Sequence, residues 1–208
     1  MKHGFTLAEV LVTLGIIGVV SAMTLPTLVK NHQRQVYVTQ LQKVYNELSQ
    51  AFEQIITDSN AVNLRESKLE QDGIENFFRN YFKTVNICNT SPQECFADEY
   101  KNINGTALRT RSILGSNNEV IAVTLASGAS VWMRQTAPGN YYVYTDVNGK
   151  SGPNIFGRDL FDFLVNNNGM IETYGYSNNF NTTCLATTDD TYGACLAKIL
   201  EDGWKMDY

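Results

Sequence analysis

Histidine is almost absent from this chain of 208 residues. Its only two histidines, His3 and His32, lie close to the N-terminus. Because Ser-His-Asp and Cys-His catalytic sites need an imidazole as their base, the rest of the chain cannot form either kind of site. An acidic pair could hydrolyse a substrate without histidine, but nothing in the sequence singles one out. The sequence therefore predicts that the protein is not an enzyme and has no catalytic residues.

Basic residues are also scarce. The chain has 16 lysines and arginines against 21 aspartates and glutamates, which gives a net charge of −5. Surfaces that bind nucleic acid are usually basic, because they must neutralise phosphates, so this balance argues against a nucleic-acid partner. The sequence has no internal repeat, and its length suits one soluble domain behind a membrane anchor.

Charge is rarest in residues 5–29, FTLAEVLVTLGIIGVVSAMTLPTLV, where Glu9 is the only charged residue. A helix needs roughly 20 apolar residues to cross a bilayer, and a carboxylate at the bilayer centre costs roughly 2.5–3.5 kcal/mol, less near an end. Glu9 therefore indicates a partner for its charge. Neither a cleaved signal peptide, with the small residues Val20-Ser21-Ala22 as its cleavage signal, nor a plain membrane anchor gives this carboxylate a use.

The start of the chain carries a more specific pattern. A short polar leader with Lys2 is followed by Gly4, by Phe5 and, four residues later, by Glu9. This pattern resembles the leader of type IV pilins and type II secretion pseudopilins. The resemblance implies that a prepilin peptidase cuts after Gly4 and methylates the new terminal amine on Phe5. It also implies that Glu9 pairs with the terminal amine of a neighbouring subunit during assembly, and that Pro26 kinks the helix.

The same resemblance implies a structural subunit of a type IV pilus or a type II secretion pseudopilus, polymerised through its N-terminal helix; the choice between the two fibres stays open. Residues 1–4 would be the leader and residues 5–29 the single transmembrane and assembly segment. Residues 30–208 would be a periplasmic or extracellular pilin-like domain that includes the amphipathic half of the helix. The partners would be other pilin or pseudopilin subunits, the prepilin peptidase and, before assembly, inner-membrane lipid. Lys30 and Arg34 follow the span and do not favour this orientation by the positive-inside rule, so the orientation rests on the resemblance. The alternatives are a minor pilin that acts in adhesion or DNA uptake, and a membrane-anchored exported domain.

Beyond the apolar segment, apolar residues recur at steps of three and four, the signature of one buried stripe on a helix. They are Val36, Tyr37, Leu41, Val44, Leu48, Ala51, Phe52 and Ile55, and Asp58-Ser59-Asn60 ends the pattern. The sequence thus predicts one helix over residues 5–57, about 80 Å long at 1.5 Å per residue, whose second half packs on the soluble domain.

The remaining pattern is that of strands and turns. A short amphipathic helix is predicted after Asp72-Gly73, and strands are predicted at residues 120–125, 130–136, 141–147, 159–165 and 170–174. The predicted fold class is α+β and pilin-like, with the long N-terminal helix packed on a four- to five-stranded antiparallel sheet. In the C-terminal tail, Trp204 is predicted to pack against that sheet.

The four cysteines allow three disulfide pairings, between which the sequence alone does not choose. Their even number fits an oxidising compartment outside the inner membrane. We favour the local pairs, Cys88 with Cys95 and Cys184 with Cys195, because each pair encloses a turn-rich loop; the second also resembles the C-terminal disulfide loop of many type IV pilins. A zinc site made of all four is disfavoured, because six and ten residues separate the paired cysteines where a zinc site usually has two.

Residues 146–159 form the most motif-like stretch of the soluble part. Asp146, Asn148, Asn154 and Asp159 could offer oxygen ligands to a calcium ion. The segment fails as an EF-hand, however, because a lysine stands at a ligand position and a glycine where the bidentate glutamate belongs. The favoured interpretation is a rigid turn whose side chains cap their own backbone, without a cofactor.

Overall fold

The structure is a computed structural model, and it describes residues 4, 6–88, 91–108, 120–173, 184 and 194–208. Within these residues the helices are α1 (Leu7–Asp58), α2 (Lys68–Tyr81) and α3 (Ala194–Glu201). The strands are β1 (Thr84–Ile87), β2 (Tyr100–Lys101), β3 (Ala107–Leu108), β4 (Val120–Leu125), β5 (Ser130–Ala137), β6 (Asn140–Asp146), β7 (Leu160–Val165) and β8 (Ile171–Glu172). The chain divides into two compact units, Met1–Val36 and Tyr37–Tyr208.

The first unit contains α1 as far as Val36. Its apolar side chains are exposed on every side of the helix; Leu11, Ile17 and Leu28, for example, keep 61%, 61% and 62% of their full exposure. By length and composition, α1 is the one helix among the described residues that could cross a bilayer, and none of its most apolar stretch is buried. A helix that is apolar all round requires an apolar environment all round.

In the second unit, residues 37–58 of α1 bury a single stripe of side chains. The stripe consists of Val38, Leu41, Val44, Leu48, Ala51, Phe52 and Ile55. It matches the predicted stripe from Leu41 onward, whereas Val36 is exposed and Val38 takes the buried position before Leu41. The helix ends near the predicted point, because Asn60 adopts a left-handed φ of 49° and the N–H of Ala61 donates to the carbonyl of Ile56 at 3.0 Å.

Six strands form one antiparallel sheet in the order β1-β4-β5-β6-β7-β8, and β2 pairs with β3 separately. In the middle of the sheet, Trp132 lies opposite Ala122 on one side and Tyr144 on the other. The buried residues of α1 and of the central strands belong to one hydrophobic core. The α+β, pilin-like architecture is therefore confirmed, and the sheet has one strand more than the predicted maximum because β1 pairs with β4 at its edge.

Helix α2 begins earlier than predicted, at Lys68, where the Ser67 hydroxyl accepts from the N–H of Leu69. Gly73, with a φ of 85°, then interrupts the helix. The predicted helix starts directly after this same glycine. After the break the apolar face meets α1, where the Phe77 ring stacks on Phe52 at 5.0 Å between ring centroids.

The C-terminal tail packs on α1 and on the hydrophobic core. Trp204 makes a ring contact with Tyr45 of α1, edge to face at 5.4 Å, and is partly buried against the core; its packing on the sheet stays a prediction. Beyond it, Met206 is buried and the hydroxyl of Tyr208 donates to the carbonyl of Gly157 at 2.9 Å. The tail therefore closes over α1 and over the loop between β6 and β7.

Candidate functional site

The N-terminal end of α1 brings Glu9 against Thr6. The backbone N–H and the hydroxyl of Thr6 both donate to Oε2 of Glu9 at 2.8 Å, and the N–H of Glu9 donates back to Oγ1 of Thr6 at 3.3 Å. This reciprocal arrangement is a capping box, which satisfies N–H groups that have no partner inside the helix. The carboxylate of Glu9 is thus held at the end of the helix by its own chain.

The predicted cleavage site, between Gly4 and Phe5, directly precedes Thr6 in the chain. No atom lies within 4 Å of the place where a side chain on Gly4 would begin. Phe5 and residues 1–3 lie outside the described residues. Cleavage after Gly4, methylation of Phe5 and the assembly role of Glu9 therefore stay predictions.

Pro26 lies inside α1, in the apolar part. Because proline has no N–H, the carbonyl four residues earlier receives no helical hydrogen bond. Close to it, the hydroxyl of Thr24 donates to the carbonyl of Val20 at 3.0 Å. A kink at Pro26 stays a prediction.

The loop between β6 and β7 gathers two buried carboxylates, Asp146 and Asp159. The carboxylate of Asp146 accepts from the Tyr100 hydroxyl at 2.6 Å and from the N–H of Asn148 at 3.2 Å. The carboxylate of Asp159 accepts from two backbone N–H groups, of Asn154 at 2.7 Å and of Ile155 at 2.6 Å. Each of the four carboxylate oxygens therefore already holds a hydrogen bond, and both side chains cap turns of their own loop.

Burial sets the charge state of this pair. It raises the pKa of Asp146 to about 8, and the negative charge of Asp159 adds to the rise. Burial also raises the pKa of Asp159, against the lowering effect of its backbone donors. Tyr37 of α1 lies close enough to feel both charges, and its pKa is raised by burial and then by Asp159 and Asp146.

The four residues predicted as calcium candidates do come together in this loop. The side-chain oxygens of Asn148 and Asn154 are buried and make no hydrogen bond with the described residues. Even so, no cluster of three or more histidine, cysteine, aspartate or glutamate side chains suited to a metal occurs in the described part of the chain. The hydrogen bonds of Asp146 and Asp159 fit the capped turn better than a coordination sphere, since a calcium ion needs six to eight oxygen ligands.

The cysteines lie in two pairs at bonding distance. The Sγ atoms of Cys88 and Cys95 are 2.03 Å apart, and those of Cys184 and Cys195 are 2.02 Å apart. The second pair lies directly under the β6–β7 loop, because a side chain on Gly157 would begin 2.6 Å from the Cys195 sulfur. This loop, the C-terminal disulfide and the C-terminal tail therefore form one packed region.

Sequence reasoning missed two polar residues of these sites, Thr6 and Tyr100, and one buried acid of the sheet, Asp162. Thr6 carried a signal, because Thr-x-x-Glu before an apolar run is the sequence pattern of a capping box. Tyr100 carried none, since its partner Asp146 lies 46 positions away. Asp162, an acid inside the apolar strand β7, accepts from the hydroxyl of Tyr142 and is buried; its isolation among apolar residues was the signal.

The first 25 residues match a known family model. Residues 1–25 correspond to the prokaryotic N-terminal methylation motif, which is the prepilin motif of type IV pilins and pseudopilins. No curated protein and no solved structure matches the chain. The match therefore covers the leader and most of the apolar half of α1.

The motif and the fold agree with each other. The prepilin motif supports a type IV pilin-like or pseudopilin precursor, and a long apolar helix followed by an antiparallel sheet is a pilin-like architecture. The motif implies processing by a prepilin peptidase and assembly with other pilin subunits. It belongs to a structural family and indicates anchoring in a membrane.

Proposed function

We propose that this protein is a non-enzymatic structural subunit of a type IV pilus or a type II secretion pseudopilus. The observation that carries the proposal is the prepilin motif of residues 1–25, placed on the exposed apolar part of a helix that continues into a folded domain. In this scheme a prepilin peptidase removes residues 1–4 and methylates Phe5. Residues 5–29 then hold the subunit in the inner membrane, with residues 30–208 in the periplasm, until it enters the fibre.

The exposed apolar part of α1 supports polymerisation. Contiguous exposed apolar surface on this scale indicates a membrane or a protein interface, and here it surrounds the helix. A bilayer covers such a helix on all sides, and so does a bundle of identical helices. A helix that moves from the bilayer into the bundle therefore keeps its apolar side chains out of water throughout.

Glu9 supports a defined register in that bundle. In the single chain its carboxylate has two donors, both on Thr6. A positively charged terminal amine from a neighbouring chain would neutralise it, and an ion pair in an apolar bundle is far less costly than two separate charges. Because only one axial offset brings the two groups together, the pair favours one register between subunits.

The cleavage step can be tested with Gly4→Leu. A Cβ added at this position would have no atom of the described chain within 4 Å, so the substitution should leave the fold intact. We expect the precursor to keep its leader, which mass spectrometry of the full chain in membranes would show. A mature mass equal to that of the wild type would contradict the prepilin assignment.

The role of Glu9 can be separated from its capping bonds by comparing two substitutions. Glu9→Gln keeps an oxygen for the Thr6 donors but removes the charge, whereas Glu9→Ala removes both. We expect both variants to be processed and inserted, and both to give far fewer sheared fibres than wild type. If Glu9→Gln assembles normally while Glu9→Ala does not, the cap matters and the proposed charge pair is wrong. Whether wild-type fibres appear on the cell surface or only inside the envelope distinguishes the pilus from the pseudopilus.

A further inference from the structure

A groove of about 590 Å³ lies between the first part of α2 and the β5–β6 hairpin. Apolar side chains line its inner surface, among them Leu69, Ile121 and Tyr141. Three carboxylates line it as well, on Glu70, Asp72 and Glu75, and no lysine or arginine is among its lining residues in the described part of the chain. The groove therefore combines apolar contact area with negative charge.

Two of these carboxylates lack a cationic partner among the described residues. Glu70 accepts only from neutral donors, namely the Gln135 amide at 2.6 Å, the N–H of Gly139 at 3.0 Å and the Tyr141 hydroxyl at 3.3 Å. Asp72 is exposed and makes no ion pair there, whereas Glu75 pairs with Arg79 at 2.6 Å. The groove thus keeps a negative charge that a basic ligand would complement.

Residues 30–34 of α1 form a basic helical turn, whose charge is opposite to that of the groove. Lys30 and Arg34 lie four residues apart on α1, so they share one face of the helix. Neither forms an ion pair with any described residue. Both have long aliphatic stems that can cover apolar surface while the charged ends reach carboxylates.

The position of Lys30 and Arg34 also indicates an anionic partner. In the proposed orientation they lie on the periplasmic side of the apolar segment, whereas the positive-inside rule places basic residues on the cytoplasmic side, so membrane orientation does not explain their presence. In the membrane, lipid phosphates would neutralise the two cations. A subunit that leaves the bilayer loses those phosphates, and it then needs other anions for Lys30 and Arg34.

We propose that the groove formed by α2 and the β5–β6 hairpin receives the basic turn of residues 30–34 from a second copy of this chain. The inference rests on the proposed function, since it concerns contacts within the assembled fibre. The aliphatic stems of Lys30 and Arg34 pack on the apolar lining, and their charges meet Asp72 and Glu70. Because the two surfaces differ, the contact is head-to-tail, and contacts of this type build open filaments when their rotation does not close a ring.

Charge reversal with rescue tests the proposal in full-length protein. Asp72→Lys should reduce sheared fibres on the order of tenfold, which is the effect of losing a close interfacial charge pair. Combining it with a single reversal, Lys30→Glu or Arg34→Glu, should restore most of the yield in one of the two double variants, because only the cation that meets Asp72 needs to change sign. The matched control is Glu66→Lys, which makes the same change of charge on an exposed residue that does not line the groove; its yield should stay close to wild type.

A photo-crosslinking amino acid at Thr136, inside the groove, gives a second readout that does not depend on yield. We expect its product in wild-type fibres to join two copies through a peptide containing residues 30–34. Equal yields of Asp72→Lys and Glu66→Lys fibres would overturn the inference, as would a crosslink to another part of the chain or to a different protein. If wild-type chains are processed but form no fibres at all, the proposed function itself fails, which is a separate outcome.

Discussion

Replacing Gly157 with alanine tests how the β6–β7 loop is held against the C-terminal disulfide. Gly157 has a φ of +81°, and its added Cβ would lie 2.6 Å from the Cys195 sulfur and 3.1 Å from Cδ1 of Ile103. The left-handed conformation costs alanine about 1 kcal/mol. Overpacking of this kind costs about 1–3 kcal/mol more. We therefore expect a loss of about 3 kcal/mol, or about 6–12 °C in melting temperature for a domain of this size.

Gly128 supplies the matched control. It has a φ of +90° in the β4–β5 turn, and no atom lies within 4 Å of its added Cβ. Gly128→Ala should therefore show the conformational cost alone, about 1 kcal/mol or 2–4 °C. The measurement is thermal unfolding of the full chain in detergent, followed by circular dichroism under oxidising conditions. Equal shifts in the two variants would refute the argument that the loop packs tightly on the disulfide.

Reduction gives an independent check on the same contact. Once the Cys184–Cys195 bond is broken, the Cys195 side chain can rotate away from an alanine at position 157. The difference between the Gly157→Ala and Gly128→Ala variants should then shrink in reducing buffer, although both variants become less stable overall. If the difference in melting temperature persists after complete reduction, the added Cβ clashes with Ile103 or the backbone and not with the Cys195 sulfur.

Two further predictions concern the buried carboxylates of this loop. The pKa of Asp146 is raised from 3.8 to about 8, so the folded chain keeps a proton that the unfolded chain has lost between about pH 4 and pH 8. The free energy of unfolding should therefore fall as pH rises through this window. Asp146→Asn should flatten that fall in urea unfolding at several pH values, and a wild-type profile that rises instead would contradict the sign. Millimolar calcium should leave the melting temperature of the wild type unchanged relative to chelator, because all four oxygens of Asp146 and Asp159 already accept hydrogen bonds; a saturable rise would show that the loop binds the ion.

The parts of the fold that the sequence predicts well are those in which local pattern and burial agree. Strand β4 was predicted at its observed bounds and β7 within one residue, because buried apolar runs lie there between turn residues. Strand β1 was missed, since TVNI is short, half of its residues are polar, and its Val85 is 73% exposed. Its existence depends on pairing with β4, more than 30 positions later, and no local pattern contains that information.

The candidate site also divides into local contacts, which the sequence can predict, and long-range contacts, which it cannot. The capping box of Thr6 and Glu9 is local and could have been predicted from four consecutive positions. The Tyr100–Asp146 bond and the Tyr45–Trp204 contact join elements that are far apart in the chain. The size of a tryptophan side chain predicts that it packs against other residues. Which residue it contacts depends on the tertiary structure of the helix and the loop, which the local sequence does not give. The tail was therefore predicted to pack, whereas its contact with Tyr45 was not predicted.

The two halves of α1 present different packing requirements, and that difference supports the proposed assembly into a polymer. Residues 37–58 carry one apolar stripe, which the sheet of the same chain covers. The N-terminal half is apolar all round and exposed, so a single neighbouring surface would leave most of it uncovered. A bilayer can surround it, and so can several neighbouring helices; in the proposed function, identical helices offset along a common axis supply those neighbours. In the proposed function, the carboxylate of Glu9 near the start of this helix favours one offset over the rest, a role that a plain anchor in lipid does not give it.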